Sequence, residues 1–279
     1  APTVTLAQAL SSGDIYEDAF AAEHGGAFED AMLLYKKSSL KVPAALTGIG
    51  RLHQAGQGVP RSEREAMAWY RKAAAAGDTE GQARLGYALL TTGTPAEQSS
   101  GLAMVRRAAD SKVPFGLYAL GLMHLQGKAV RFDTDRAVQL LEAAAAAGEA
   151  EAQSLLGQMY LDGKGVQAHS LLGVELLTES ARQGHAQAQA RLGLAHLEGW
   201  GVERDEQEAA HWLEKASERG HVDAQAQLAL ILIHSRESLH NPLKGVDLLR
   251  QASTSGSALA QFHLGQFLIE GRGVMQDAT

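Results

Sequence analysis

A pair of residues, Leu-Gly or a close variant, returns along this chain at an almost fixed interval, and that period limits the possible folds more than any other feature. The second members are Gly50, Gly86, Gly121, Gly157, Gly193, Ala229 and Gly265, preceded by Ile49, Leu85, Leu120, Leu156, Leu192, Leu228 and Leu264, with spacings of 36, 35, 36, 36, 36 and 36 residues. A period in this range marks stacked supersecondary units, each too small to bury its apolar face without a neighbour. Three residues beyond each second member stands His53, Leu89, His124, Tyr160, His196, Leu232 or Leu268. That is one helical turn along the same face, so each pair belongs to a helix. Gly56, Gly127, Gly163, Gly199 and Gly271 stop this first helix, and Val59, Val130, Val166, Val202 and Val274 follow in a Gly-x-Gly-Val turn or a near variant.

A second helix completes each unit. It carries Trp69, Leu140, Leu176, Trp212 or Leu248, followed four residues later by Ala73, Ala144, Ser180, Ala216 or Ala252. Bulk beside a small residue lets two helices nest. Gly77, Gly148, Gly184, Gly220 and Gly256 suit a left-handed cap at its end. Abundant alanine, 5% aromatic residues and six prolines against thirty glycines fit short helices broken by turns, so an all-helical chain is expected.

The segment Leu156-Gly157-Gln158-Met159-Tyr160-Leu161-Asp162-Gly163-Lys164-Gly165-Val166, with the Trp and Lys-Ala of the second helix, resembles the Sel1-like repeat family, relatives of the tetratricopeptide repeats. The resemblance covers about 230 of the 279 residues. It implies an all-α fold, a right-handed superhelical α/α solenoid of about seven 36-residue helix-turn-helix repeats. It also implies the work of an adaptor or scaffold, often in a bacterial envelope. Residues 1–44 are expected to form an atypical N-terminal capping helix pair that begins near Asp14, with Ala31, Leu34 and Tyr35 on one face of a second helix over Ala27–Lys37. Residues 45–279 are the repeat array. The array stops past Val274, halfway through a unit, which calls for a continuation of the chain or a partner over that end.

Two units depart from the pattern. The Gly86 unit runs through Thr91-Thr92-Gly93-Thr94-Pro95 and ends in Asp110-Ser111-Lys112-Val113-Pro114, so its helix pair is expected to be rotated or shortened. The Ala229 unit continues through His234-Ser235-Arg236-Glu237-Ser238-Leu239-His240-Asn241-Pro242, read as a longer polar turn that projects from one edge. Either drift within the repeat or a functional kink accounts for both.

Charge and composition exclude several classes of function. A formal charge of −7 without clustered Lys and Arg does not suit a phosphate backbone, so nucleic acid is not the expected partner. No apolar run approaches the roughly 20 residues that span a bilayer; the longest, Leu228 to Ile233, reads as a buried helix turn. With no cysteine there are no disulfides, thiolate metal sites or thiol nucleophiles, a pattern that fits a reducing cytosol and an oxidising periplasm alike. The start at Ala1-Pro2-Thr3 is what removal of a signal peptide after a small residue leaves, and a trimmed chain looks the same.

The motifs that invite chemistry have structural explanations. Gly56-Gln57-Gly58 and Gly199-Trp200-Gly201 superficially resemble phosphate-cradling loops, but they recur at repeat turns and follow no strand. Eleven histidines raise a metal site, yet none forms an i, i+4 pair. His53, His124 and His196 share the slot of Tyr160, and His185 and His221 share the place after the unit-ending glycine. His234 and His240 are the one pair that merits a test, and neither a metal nor a cofactor is expected. Glu17-Asp18 and Glu29-Asp30 read as solvated faces, and no Gly-x-Ser-x-Gly or His-Glu-x-x-His sequence is present. An enzyme is therefore not expected. The alternative is a cell-wall- or lactam-acting enzyme of the kind proposed for cysteine-rich relatives, whose paired cysteines this chain lacks.

Register also predicts where a partner protein would sit. In a curved array the first helices line the concave side. Residues three before, one after and five after the glycine column lie a third of a turn or more from the face that meets the second helix. These are Thr47, Arg51 and Ala55; Ala83, Tyr87 and Thr91; Tyr118, Leu122 and Gln126; Ser154, Gln158 and Asp162; Ala190, Leu194 and Glu198; Ala226, Leu230 and His234; and Phe262, Gln266 and Glu270. The expected binding residues among them are Arg51, Tyr87, Thr91, Tyr118, Leu122, Gln126, Gln158, Asp162, Leu194, Glu198, Leu230, His234, Phe262 and Gln266. Aromatic anchors among small and polar residues suit a protein partner. The alternative is that the leucines contact the neighbouring unit. The expected function is a non-catalytic scaffold, periplasmic or outer-membrane-associated in a Gram-negative bacterium, with the cytoplasm as the alternative. It would serve as an exopolysaccharide-machinery scaffold, a toxin-neutralising immunity protein or a periplasmic regulator.

Overall fold

The computed structural model describes residues 11–235 and 239–270, apart from the side chains of Leu268 and Glu270. The expectations for Ala1 to Thr3, for Arg236 to Ser238, for the Glu270 side chain and for the Gly271 and Val274 turn lie outside the described residues. Fifteen helices and no strand are present among those described. In chain order α1 (Ser12–Gly25) and α2 (Phe28–Ser38) come first. Next are α3 (Pro43–Ala55), α4 (Glu63–Ala75), α5 (Thr79–Thr92), α6 (Pro95–Asp110), α7 (Pro114–Gln126) and α8 (Thr134–Ala146). These belong to a compact unit of residues 1–149, and α9 to α15 to a second one of residues 150–279. The second unit holds α9 (Ala150–Asp162), α10 (Ser170–Arg182), α11 (Ala186–Glu198), α12 (Glu206–Glu218), α13 (Val222–His234), α14 (Pro242–Thr254) and α15 (Ala258–Glu270).

The glycine column is the crossing point of each helix pair. A Cβ on Gly86 would lie 2.8 Å from the carbonyl oxygen of Gly101, and one on Gly157 would lie 2.8 Å from that of Gly173. Opposite the column stands a second small column, Ala66, Gly101, Ala137, Gly173, Ala209 and Gly245, buried in every case. Beside it Tyr70, Leu141, Leu177, Leu213 and Leu249 are 0 to 1% exposed and fill the pair interior. The bulky column picked from sequence is displaced by one residue from this interior. Trp69 and Trp212 are half-buried against cores that the first helix of their own repeat, α3 or α11, shares with the helices before it, with the Lys72 and Lys215 ammoniums 3.8 and 4.9 Å from their ring centres.

The turns repeat as closely as the helices. The N–H of the residue capping the second helix donates to a first-helix carbonyl in the same way in five units: Ser62 to His53, Asp133 to His124, His169 to Tyr160, Asp205 to His196 and Asn241 to Leu232. The interval between α13 and α14, residues 235–241, is as long in sequence as the regular turns 56–62 and 199–205, so it is not longer, contrary to expectation. The Gly86 unit also departs from expectation. Its helices are the longest of any repeat, 14 and 16 residues, and only its turn, Gly93-Thr94, is short. A Thr94–Glu97 capping box and Pro95 in the first turn start α6 at once and leave no need for the longer loop. The irregular helix end at Lys112 still takes the left-handed backbone, φ 57°, that glycine takes at 77, 148, 184, 220 and 256.

Candidate functional site

The expected binding residues fall into three classes of exposure. The residue after each glycine is half-buried: Arg51, Tyr87, Leu122, Gln158, Leu194 and Leu230. Residues one turn further on, Thr91, Gln126, Asp162, Glu198 and His234, are exposed. The residues three before the column do not reach the surface as a set: Thr47, Ala83, Ser154, Ala190 and Ala226 are buried. They lie between consecutive repeats. The Thr47 hydroxyl donates to Asp78 Oδ2 at 2.6 Å beside Gly81 of the next first helix, and Ala190 shares a core with Ala224 and Leu228. Tyr118, half-buried, and Phe262, 62% exposed, escape this fate, and Gln266 is exposed. Leu230 packs on the core of Ala226, Leu249 and Ala260.

In the first unit the structure gathers these residues around a continuous ion-pair network. Arg51 binds Glu23 with two nitrogens, Nε to Oε1 at 3.0 Å and Nη2 to Oε2 at 2.6 Å, and donates from Nη1 to Glu80 Oε1 at 3.0 Å. Glu80 Oε1 also accepts from Arg84 Nε at 2.7 Å, and Arg84 Nη2 lies 3.7 Å from Glu149 Oε1. The Tyr35 hydroxyl donates to Glu23 Oε2 at 2.6 Å. Elements α1, α2, α3 and α5 and Glu149, beyond the end of α8, are thereby tied together. Bidentate geometry and mutual hydrogen bonding are what make such buried charges tolerable.

Burial opposes the charge on Glu23, but the Arg51 guanidinium outweighs it and holds that carboxyl below its usual range. At Glu80 burial is likewise overcome by Arg51 and Arg84, and the carboxyl is pushed down to about 2. Carboxylates held this firmly ionised are poor proton donors or acceptors near neutral pH. Burial pushes the Tyr35 phenol up.

Aromatic rings flank the network. The Arg84 guanidinium lies 4.0 Å from the centre of the Phe115 ring. Tyr87 meets Phe115 edge-on at 6.1 Å, and Phe115 meets Tyr118 at 5.7 Å. Tyr87, Tyr118 and Arg51 thus stand on a braced surface, with Phe20 39% exposed at its α1 end. Glu23, Glu80, Arg84 and Phe115 were not singled out from sequence. Arg84 carried no signal of its own, since Arg191 fills the same place two residues before Gly193.

In the second unit the expected residues stay one or two to a repeat. Asp162 pairs with Lys164 at 3.0 Å, and His234 Nδ1 lies 3.0 Å from the Leu230 carbonyl with its ring 6.0 Å from Phe267. No group of three or more His, Asp and Glu side chains that could hold a metal ion occurs among the described residues. No described helix is long and apolar enough to cross a membrane. His124 Nδ1 lies 3.0 Å from the Arg131 carbonyl oxygen. The Nδ1 atoms of His53 and His196 are buried with no hydrogen-bond partner among the described residues.

The Sel1 repeat model matches residues 43–78, 79–112, 114–149, 150–185, 186–221, 222–257 and 258–279. No curated protein matches. Among solved structures the chain is similar to a Sel1 repeat protein from Oxalobacter formigenes, with 28% identity, a TM-score of 0.60, and 86% of this chain and 99% of that one covered. It is also similar to immunity protein Pa5087 from Pseudomonas aeruginosa, with 18% identity, a TM-score of 0.51, and 75% of this chain and 82% of that one covered. At that identity the second likeness concerns the fold alone.

Proposed function

This chain belongs to the Sel1 repeat family, and we propose on that footing that it is a non-catalytic adaptor that holds a partner protein on the exposed faces of its first helices. The observation that carries this reading is the surface of Arg51, Tyr87 and Tyr118 in the first unit, rigid aromatic and guanidinium groups braced from behind by Glu23, Glu80 and Arg84. Tyr and Arg on a preorganised support are the groups that contribute most at protein interfaces, because little side-chain freedom remains to be lost. Leu122, Thr91 and Gln126 extend this face. Gln158, Asp162, Leu194, Glu198, Leu230, His234, Phe262 and Gln266 are the corresponding positions of the second unit. Residues 1–44 cap the array.

We place the protein in the envelope of a Gram-negative bacterium, and an exopolysaccharide-machinery scaffold, an immunity protein and a periplasmic regulator remain three forms of the same binding role. Capture of a partner from a periplasmic extract on immobilised full-length chain tests the location, and recovery from cytosol alone would overturn it. Replacing Tyr87, Tyr118 and Leu122 together with alanine is expected to weaken the captured partner's binding by about 30-fold or more with little change in melting temperature. A lower melting temperature with binding intact would assign these side chains to packing instead.

A further inference from the structure

Three helices of the second unit begin at a histidine. His169 Nδ1 accepts from the Leu172 N–H at 3.2 Å at the start of α10, His185 Nδ1 from the Ala188 N–H at 3.3 Å at the start of α11, and His221 Nδ1 from the Ala224 N–H at 3.1 Å at the start of α13. In the first unit the side chains that cap helices are Ser11, Ser62, Asp78, Thr94 and Asp133. The same place in the repeat as His185 and His221 is filled by Asp78, whose Oδ2 accepts from the Gly81 N–H at 2.7 Å, and by Ser257. Hydroxyl or carboxylate oxygens serve there equally well, so the imidazole is not demanded by the turn.

A backbone N–H can only donate, so Nδ1 of His185 and of His221 is the bare nitrogen and each of these two rings is neutral. His221 shows the complementary half, its Nε2 donating to Gln187 Oε1 at 3.1 Å. Adding a proton to Nδ1 removes the acceptor, sets two donors against each other and places a positive charge at the positive end of the helix dipole. We propose that His185 and His221 make the starts of α11 and α13 a pair of pH-sensitive caps, which release the first turns of both helices on mild acidification.

The surroundings support this. His185 is pressed by burial, then by His221, toward the neutral form, against the pull of Glu151 from α9, and the balance lies below the ordinary imidazole value. Burial also dominates at His221, with Arg191 from α11 aiding it and Asp223 from its own helix opposing, and again the value is lowered. The Asp223 carboxylate is engaged by the Ser257 hydroxyl at 2.7 Å, and the Arg219 guanidinium from the end of α12 lies against Gly184, next to His185. A charge on either histidine opposes a charge on the other. The unfolded chain takes up these protons near pH 6.5 while the folded one resists them, so the stability they contribute is complete above that pH and is lost as the pH falls below it. The device belongs to the chain itself and stands whether or not a partner binds α11 and α13.

Amide hydrogen exchange on the full chain at pH 7.5 and pH 5.0 tests the proposal. Protection at Ala188 and Ala224 is expected to fall about fivefold, the factor that loss of one helix cap corresponds to. Protection at Glu65, capped by the hydroxyl of Ser62, is expected to hold. The His185→Asn/His221→Asn double variant keeps an acceptor at both sites and is expected to lose the pH response. Equal losses at Ala188, Ala224 and Glu65, or an unchanged response in the double variant, would overturn the proposal. Ring titrations of His185 and His221 in the unaltered chain give a reading that needs no variant. Midpoints below 6.5, with the Ala188 and Ala224 amide shifts moving in step, support the caps, and midpoints at or above 6.5 refute them.

Discussion

Arg51 touches two carboxylates from two other helices, so its removal leaves Glu23 and Glu80 to repel one another in a half-buried setting. Breaking a buried pair costs more than the pair itself contributes. Arg51→Ala is expected to lower unfolding free energy by about 2–4 kcal/mol, measured by urea denaturation at pH 7. Both carboxyls have folded values below the ordinary 4.5, so the stability they supply is present above that pH and declines as the pH falls toward about 2. In the Arg51→Ala chain that acid-dependent decline is expected to be shallower, and an equally steep one would show that the network contributes little. Ala129 and Lys112 are the two described non-glycine residues with left-handed backbone, φ 59° and 57°, in columns that hold glycine elsewhere. Ala129→Gly and Lys112→Gly should each stabilise by about 1 kcal/mol, since an L side chain in that region costs about that much. A fall in melting temperature would mean that the side chains make contacts worth more than the strain.

At the scale of helices, the glycine column divides by what lies opposite. Gly86 faces the Gly101 backbone, whereas a Cβ on Gly265 meets no atom within 4 Å among the described residues. Gly86→Ala must force two backbones apart and is expected to cost about 2–3 kcal/mol, while Gly265→Ala, free of any clash, should gain about 0.5–1 kcal/mol from helix propensity. Thermal melts of the two single variants decide this, and equal effects would contradict the crossing geometry. The column itself was legible in sequence because only a small residue serves at a backbone crossing and the crossing recurs in every unit. Its partner column was not, because Ala66, Ala137 and Ala209 are alanines in an alanine-rich chain and carry no signal of their own. The bulky column was misplaced by one residue for a related reason. Trp69 and Trp212 are conspicuous, but it is the neighbouring Tyr70 and Leu213 that fill the pair interior.

Along the whole molecule, what the sequence conveyed was the part of the repeat that carries a conspicuous residue. Helix pairs, their ends and the glycine turns all follow from a pattern seen many times over. The ion-pair network escaped notice because it occurs once, and because Glu23, Arg51, Glu80 and Glu149 are 126 residues apart from first to last with no local periodicity to link them. Repetition also sets how stability should vary along a unit, since each helix packs on its immediate neighbours and on the like helix of the next pair. Within the second unit α11 and α13 have such neighbours on both sides. For α15 the face around Gly265 that receives a second helix in the other repeats is open among the described residues, and Phe262 is 62% and Ile269 89% exposed. The first amides to exchange should therefore be those of α15, with those of α11 slowest, at pH 7.5 where the histidine caps are intact. Protection in α15 equal to that in α11 would require a covering contact on this face. A partner or second copy that protects α15 on addition would then be recognised by where it slows exchange.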